Sequence, residues 1–168
     1  MRRGFSILAV MALLSLLVTA CQTSASGSPA ESAAAGASVA PGASAAAGGT
    51  TVNVTLQEWS VLPDAETAAA GAVTFVVTNE GPDDIHEFVI IRTDLDPGDL
   101  PTDATGAVDE AGEGMEVIDE IEDIAVGDTA ELSVTLEAGS YILLCNIYDE
   151  TELEAHYAMG MYTAFTVE

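Results

Sequence analysis

The sequence predicts an all-β domain, a Greek-key β-sandwich, from about residue 51 onward. Short segments in this part alternate apolar or β-branched side chains with polar ones, and glycine-containing turns separate them. No segment shows a sustained helical period. Many short strands joined by such turns are typical of a sandwich, and they argue against a helical or a mixed fold.

Each predicted strand is supported by its own pattern. Thr-Val-Asn-Val-Thr-Leu alternates polar and apolar residues, and Gly71 precedes the apolar-rich run Ala-Val-Thr-Phe-Val-Val-Thr. The predicted strands are 51–56, 72–78, 85–92, 130–136, 140–147 and 161–167. The segment 140–147 is mostly apolar, so we expect it to lie at the centre of a sheet, with both faces covered.

The interval 94–123 interrupts this pattern and is dense in acidic residues. We predict a long solvated loop there, with one or two short strands near 115–118 and 121–125. Its run Asp-Leu-Asp-Pro-Gly-Asp does not match the spacing of an EF-hand calcium loop.

The amino-terminal residues 1–21 read as a secretory signal. Arg2 and Arg3 form a positive region, and the apolar stretch 5–18 is too short for a comfortable membrane span. Val-Thr-Ala-Cys at its end resembles the lipobox of bacterial lipoproteins, which implies acylation at Cys21. We therefore expect an exported protein, lipid-anchored on the extracytoplasmic face of the cell membrane.

Residues 22–50 consist mainly of Ala, Gly, Ser and Pro. A segment of this composition buries too little apolar surface to order itself, so we predict a disordered tether with a reach of about 30 Å. The folded domain is predicted to span 51–168. Within a chain of 168 residues, this leaves enough length for one hydrophobic core.

The charge of the chain is strongly negative, with a formal net charge of −25. If the signal is removed, Arg92 is the only base left against 28 acidic residues. Such a surface should repel nucleic acid and anionic lipid headgroups and would favour basic partners, an attraction that salt weakens. The simpler alternative is that the acidic residues only keep the surface soluble, for example in a salty habitat. No phosphate-binding glycine loop or catalytic carboxylate pair is recognisable, so we do not predict an enzyme.

Three residues of the domain can carry metal chemistry. The chain has only two histidines, His86 and His156, and Cys145 is the single cysteine outside the signal region. One cysteine cannot form a disulfide within the domain, and a free thiol outside the cytoplasm is prone to oxidation. Each residue alone is more simply explained as a core or loop residue; their order along the chain makes a shared site the better interpretation.

That order resembles the cupredoxins, the plastocyanin and azurin group of blue copper proteins. Gly-Ser-Tyr-Ile-Leu-Leu-Cys-Asn-Ile followed by His-Tyr-Ala-Met-Gly-Met is similar to their carboxy-terminal motif, and most similar to the sulfocyanin-like branch. The resemblance implies one type 1 copper ion that cycles between Cu(I) and Cu(II). Its ligands would be His86, Cys145, His156 and, in preference to Met159, Met161. The implied function is the transfer of single electrons.

The sequence departs from the family in the ten residues 146–155 between the cysteine and the second histidine, where members have a short loop. This longer loop either bulges outward and leaves the site intact or loosens His156. Its carboxylates Asp149, Glu150 and Glu152 are candidates for docking a basic redox partner such as a c-type cytochrome. We expect a monomer that contacts the membrane only through its lipid anchor.

Two other functions share the same ligands or the same fold. A copper storage or delivery protein would lose copper readily to an acceptor, whereas an electron carrier would show a reversible potential. A metal-free cupredoxin-like interaction module would need none of the four ligand types that this chain retains.

Overall fold

The structure is a computed structural model that describes residues 49–168. The predicted signal segment with Cys21, and the predicted tether up to residue 48, lie outside the described residues. Within 49–168, no helix has the length and apolar character needed to cross a membrane.

The regular secondary structure of the described chain is almost entirely strand, as predicted. In chain order the strands are β1 (Thr50–Gln57), β2 (Ser60–Pro63), β3 (Thr67–Ala68), β4 (Gly71–Asn79), β5 (His86–Thr93), β6 (Met115–Ile124), β7 (Thr129–Leu136), β8 (Gly139–Leu144), β9 (Tyr148–Asp149), β10 (Glu154–Ala155) and β11 (Tyr162–Val167). The one helix of this part of the chain, α1 (His156–Met159), is a single turn between β10 and β11.

The first sheet has the strand order β2-β1-β4-β7. β1 runs parallel to β4, and β7 is antiparallel to β4. Alternate residues of β1 and β4 are fully buried, as the period of two demands when one face of a sheet covers a core.

The second sheet has the order β3-β11-β8-β5-β6, which places β8 between β11 and β5. The expectation of a central strand is therefore confirmed, and four consecutive residues of β8, 141–144, are buried. Between the sheets, Phe75 of β4 packs 5.3 Å from the ring of Phe88 and 5.6 Å from that of Phe165. These rings lie in the main hydrophobic core.

A second, smaller cluster covers the outer face of the second sheet. Leu100 and Val108, from the connection between β5 and β6, pack there with Tyr157 of α1. The expectation of a solvated loop is therefore wrong in part: the loop carries its charges on the outside but inserts two apolar side chains over the sheet. The two short strands expected near 115–125 are one continuous strand, β6, whose pairing with β5 contains two irregularities.

Several shorter elements differ from the predicted boundaries. β8 ends at Leu144, so Cys145 lies just beyond the strand and not inside a strand reaching 147. The sequence does not predict the shortest strands, which are β2, β3, β9 and β10. Segments of two to four residues are too short to show a recognisable alternation of apolar and polar residues.

Candidate metal centre

The fold brings three side chains that could ligate a metal together at one end of the second sheet. β5 and β8 are antiparallel, with Val89 opposite Leu144. Extending this register puts Phe88 opposite Cys145, so His86, two residues before Phe88 at the start of β5, lies at the same end of the sheet as Cys145. His156 begins α1 and completes the group.

The donor atoms of these residues face one another. The Nδ1 atoms of His86 and His156 are 3.2 Å apart, and the Sγ of Cys145 lies 3.3 Å from Nδ1 of His156 and 3.9 Å from Nδ1 of His86. All three side chains are buried, with the most exposed of them, His156, at 2%. The group is therefore a closed set of two imidazole nitrogens and one thiol sulfur.

This geometry fits a single transition-metal ion. Zinc, whose size is comparable to that of copper, binds imidazole nitrogen and thiolate sulfur at roughly 2.0–2.3 Å, so three such donors spaced evenly in a plane around one ion lie roughly 3.5–3.8 Å apart. The observed separations of 3.2, 3.3 and 3.9 Å bracket this range. Two histidines and a cysteine in a trigonal plane are the ligand set of blue copper sites.

Burial sets the protonation of the metal-free ligands. It lowers the pKa of both histidines, and for His86 the nearby His156 lowers it further. Burial also raises the pKa of the Cys145 thiol to about 12. Near neutral pH the imidazoles are thus neutral and ready to bind, whereas the thiol must give up its proton to a binding ion.

The surroundings of Cys145 include a hydrogen bond to its sulfur. The backbone N–H of Glu87 donates to Sγ across 3.4 Å. The side chain of Glu87 in turn accepts the backbone N–H of Asn146 at 2.7 Å. Residues next to His86 and next to Cys145 are thereby linked, which fixes the two ligands relative to each other.

Met161, the predicted axial ligand, is tied to two of the other candidates through its backbone. Its carbonyl accepts the N–H of Cys145 at 3.0 Å, and its N–H donates to the carbonyl of His156 at 3.1 Å. Its side chain is fully buried in the same core cluster as Cys145, whereas Met159 is 43% exposed. Gly160 makes this turn possible, because its φ of 111° suits glycine and few other residues.

The long segment between Cys145 and His156 folds into the β9–β10 hairpin, in which Tyr148 pairs with Ala155. The backbone N–H of His156 donates to the carbonyl of Ile147 at 2.8 Å, which closes the loop at its base. The loop therefore extends away from the site, and His156 stays in contact with the other donors. Of the two expectations for this loop, the structure has the outward bulge.

Two residues next to the ligands hold the acidic β5–β6 connection in place. The Asn146 side chain accepts the N–H of Val108 at 2.6 Å and donates to its carbonyl at 3.0 Å. The Tyr157 hydroxyl accepts the N–H of Leu100 at 3.1 Å and donates to the carbonyl of Pro97 at 2.8 Å. Neither role was predicted from the sequence, although Asn146 belongs to the Cys-Asn pair that carried the resemblance.

The three carboxylates proposed for docking differ in what they do. Asp149 accepts the backbone N–H groups of Thr151 and Glu152, at 2.6 and 3.0 Å, and so stabilises the hairpin turn. Glu150 and Glu152 are exposed.

A cleft of about 470 Å³ adjoins the metal centre, and His156 contributes to its wall. Asp149 and Glu150 line the cleft together with Asp83, Asp84 and Asp123. The surface beside His156 is therefore acidic.

Glu58 and Trp59, in the turn between β1 and β2, also border the site, and sequence reasoning gave neither of them a role at it. The Trp59 ring meets that of His156 edge to face, with centroids 5.1 Å apart. An Oε1 atom of Glu58 lies 3.8 Å from Nε2 of His86. Burial acts to raise the pKa of Glu58, but hydrogen bonds from backbone N–H groups, that of Asp84 foremost, outweigh it and the net shift is downward.

Several solved structures resemble this chain in their fold. The sodium-dithionite-reduced auracyanin of the photosynthetic bacterium Roseiflexus castenholzii superposes with a TM-score of 0.50 at 22% identity, over 71% of this chain and 97% of its own. Auracyanin A, described as a "blue" copper protein of Chloroflexus aurantiacus, gives 0.49 at 18% identity, over 72% and 100%. An azurin of Methylomonas sp. strain J gives 0.47 at 16%, over 71% and 98%.

No family model and no curated protein matches the chain. The likeness to the Roseiflexus auracyanin nonetheless shows that residues 49–168 adopt the cupredoxin fold. The predicted fold class is confirmed.

Proposed function

We propose that this protein carries single electrons on one copper ion. The observation that supports it most strongly is the convergence of His86, Cys145 and His156 from three separate segments, with their donor atoms 3.2 to 3.9 Å apart in a buried site. Nδ1 of each histidine and Sγ of Cys145 would hold the ion, with the Met161 thioether as the proposed fourth ligand. A copper ion held in this way supplies a one-electron Cu(II)/Cu(I) couple.

The protein contributes a buried set of ligands that packing and hydrogen bonds hold in place. His86 and Cys145 lie at the ends of paired strands, and Met161 is bonded through its backbone to Cys145 and His156. Because packed interiors resist displacement, the donors should hold nearly the same positions in both oxidation states, which keeps electron transfer fast. The N–H of Glu87 at the sulfur would help to set the reduction potential.

The test is a visible absorption spectrum of residues 22–168 loaded with Cu(II), beside the Cys145→Ser variant. An intense thiolate-to-copper band in the parent, absent from the variant, is the expected result. Reversible one-electron voltammetry of the same sample would separate an electron carrier from a storage protein. A parent spectrum without any cysteine-dependent band would refute the proposed copper site.

We further propose that the acidic surface at the cleft beside His156 docks a basic redox partner, such as a c-type cytochrome. Replacing Asp149, Glu150 and Glu152 by their amides should slow electron exchange with a basic cytochrome at low ionic strength, and added salt should reduce the difference. The control is a triple variant in which Glu66, Glu131 and Glu168 are replaced by glutamine. These three residues are exposed, so the variant removes the same charge elsewhere on the surface. Equal rates for the two triple variants would contradict docking at this site.

A further inference from the structure

Two buried polar atoms at the metal centre have no hydrogen-bond partner within residues 49–168: Nε2 of His86 and Oε2 of Glu58. They belong to side chains that face each other, since Oε1 of Glu58 lies 3.8 Å from Nε2 of His86. A buried polar group without a partner is costly, so two of them side by side require an explanation.

The Glu58 carboxylate is held beside His86 by its burial and by hydrogen bonds from the backbone. Its side chain is 11% exposed, and its Oε1 accepts the backbone N–H groups of Asp83 at 3.0 Å and of Asp84 at 2.8 Å. Those two residues form the connection that leads directly into His86. The Glu58 carboxylate therefore positions the backbone just before the ligand and also faces the ring of the ligand.

The orientation of the His86 ring determines what Glu58 can do. Nδ1 of His86 points at the donor atoms of His156 and Cys145, so a metal-binding imidazole must carry its proton on Nε2. An N–H···O hydrogen bond needs about 2.7–3.2 Å between its heavy atoms, so a closure of under about 1 Å from 3.8 Å would make Glu58 the acceptor.

We propose that Glu58 is a positioning residue, an inference that rests on the proposed copper function. Its carboxylate keeps the proton of His86 on Nε2 with or without metal, and accepts it in a hydrogen bond when Nδ1 binds the metal. Such a carboxylate–histidine–metal arrangement fixes the tautomer and the ring orientation of the ligand and makes the imidazole more basic. The buried negative charge of Glu58 would also favour the more highly charged Cu(II) state and so lower the reduction potential.

The first experiment compares the reduction potentials of copper-loaded Glu58→Gln and the parent protein. Glutamine keeps the length of the side chain and an oxygen that can accept the backbone N–H groups of Asp83 and Asp84, but it removes the charge. We expect the preference for Cu(II) over Cu(I) to fall about tenfold, which raises the potential by about 59 mV for a one-electron couple.

The matched control is Glu80→Gln. Glu80 is exposed and lies in the connection between β4 and β5, together with Asp83 and Asp84. Its carboxylate accepts the side-chain N–H of Gln57 and does not face a histidine. A potential shift in the Glu58 variant well beyond that of the Glu80 variant supports the proposal. Equal shifts in the two variants would overturn it, because general electrostatics would then explain the effect.

The second experiment needs no copper. Long-range ¹H–¹⁵N NMR spectra of the metal-free parent report the tautomer of each histidine, and we expect His86 to carry its proton on Nε2. A proton on Nδ1 of His86 would overturn the proposal even if the Glu58 variant failed to fold. If the parent lacked any cysteine-dependent copper absorption, the proposed function would fail. The NMR spectrum would still decide whether His86 carries its proton on Nε2, the atom that faces Glu58.

Discussion

The proposed ligands are held in two different ways. His86 and Cys145 lie at the ends of β5 and β8, whose ladder of backbone hydrogen bonds and buried side chains fixes them. His156 follows a ten-residue excursion and begins a one-turn helix, outside both sheets. We call the first group the sheet-held ligands and His156 the loop-held ligand.

The loop-held ligand depends on individual hydrogen bonds from its surroundings. Its own N–H is bonded to Ile147, and the next residue, Tyr157, anchors the β5–β6 connection through its hydroxyl. A single such bond contributes about 1 kcal/mol, whereas burial of a large apolar side chain contributes more. The region around the loop-held ligand should therefore open locally at a lower free energy than the region around the sheet-held pair.

The largest expected effect comes from disrupting the core behind the sheet-held ligands. Phe75→Ala removes a fully buried ring that contacts both Phe88 and Phe165, so it should lower the free energy of unfolding by about 3–5 kcal/mol. Denaturant unfolding of the metal-free protein measures this change. Because Phe75 lies between the two sheets, amide exchange should accelerate in both of them together.

The control for this prediction is Leu62→Ala on the edge strand β2, where the side chain is 50% exposed. It should change the free energy of unfolding by less than about 1 kcal/mol. If Phe75→Ala cost no more than this control, the core between the sheets would not be what fixes the sheet-held ligands.

The same division separates what the sequence predicts from what it does not. Alternation of apolar and polar residues predicted β1, β7 and β11 to within a few residues, because a half-buried strand must show that period. Short apolar or β-branched runs bounded by turns predicted β4, β5 and β8. The grouping of His86, Cys145 and His156 came from their order and from the motif around Cys145. Their roles as copper ligands stay a prediction, as does lipidation at Cys21.

The contacts around the loop-held ligand left no comparable signal in the sequence. Asn146 is bonded to Val108, and Tyr157 to Leu100, across separations of 38 and 57 residues. A hydrogen bond between one polar side chain and a distant backbone group produces no periodic pattern in the sequence. A charged turn residue such as Glu58 is expected to be exposed, and only the folded structure shows that it lies beside His86. Such contacts depend on the three-dimensional arrangement, which one sequence does not reveal.

A smaller and more local effect is expected from Tyr157→Phe. Removing the hydroxyl leaves the buried N–H of Leu100 and the carbonyl of Pro97 without their shared partner, which should cost about 1–3 kcal/mol. The Leu100 amide should then exchange with solvent roughly five- to 150-fold faster under native conditions. Amides in β4 should keep their parental rates, since that strand lies in the other sheet.

Tyr162→Phe is the matched control, because it removes the same atom from the neighbouring ring, 5.0 Å from that of Tyr157. Within residues 49–168 the Tyr162 hydroxyl makes no side-chain hydrogen bond, so its loss should leave the Leu100 amide unchanged. Faster exchange confined to the β5–β6 connection in the Tyr157 variant would locate the weaker support of the site beside the loop-held ligand. Equal acceleration in β4 would mean that the two regions open as one unit, and the distinction between sheet-held and loop-held ligands would then have no consequence for stability.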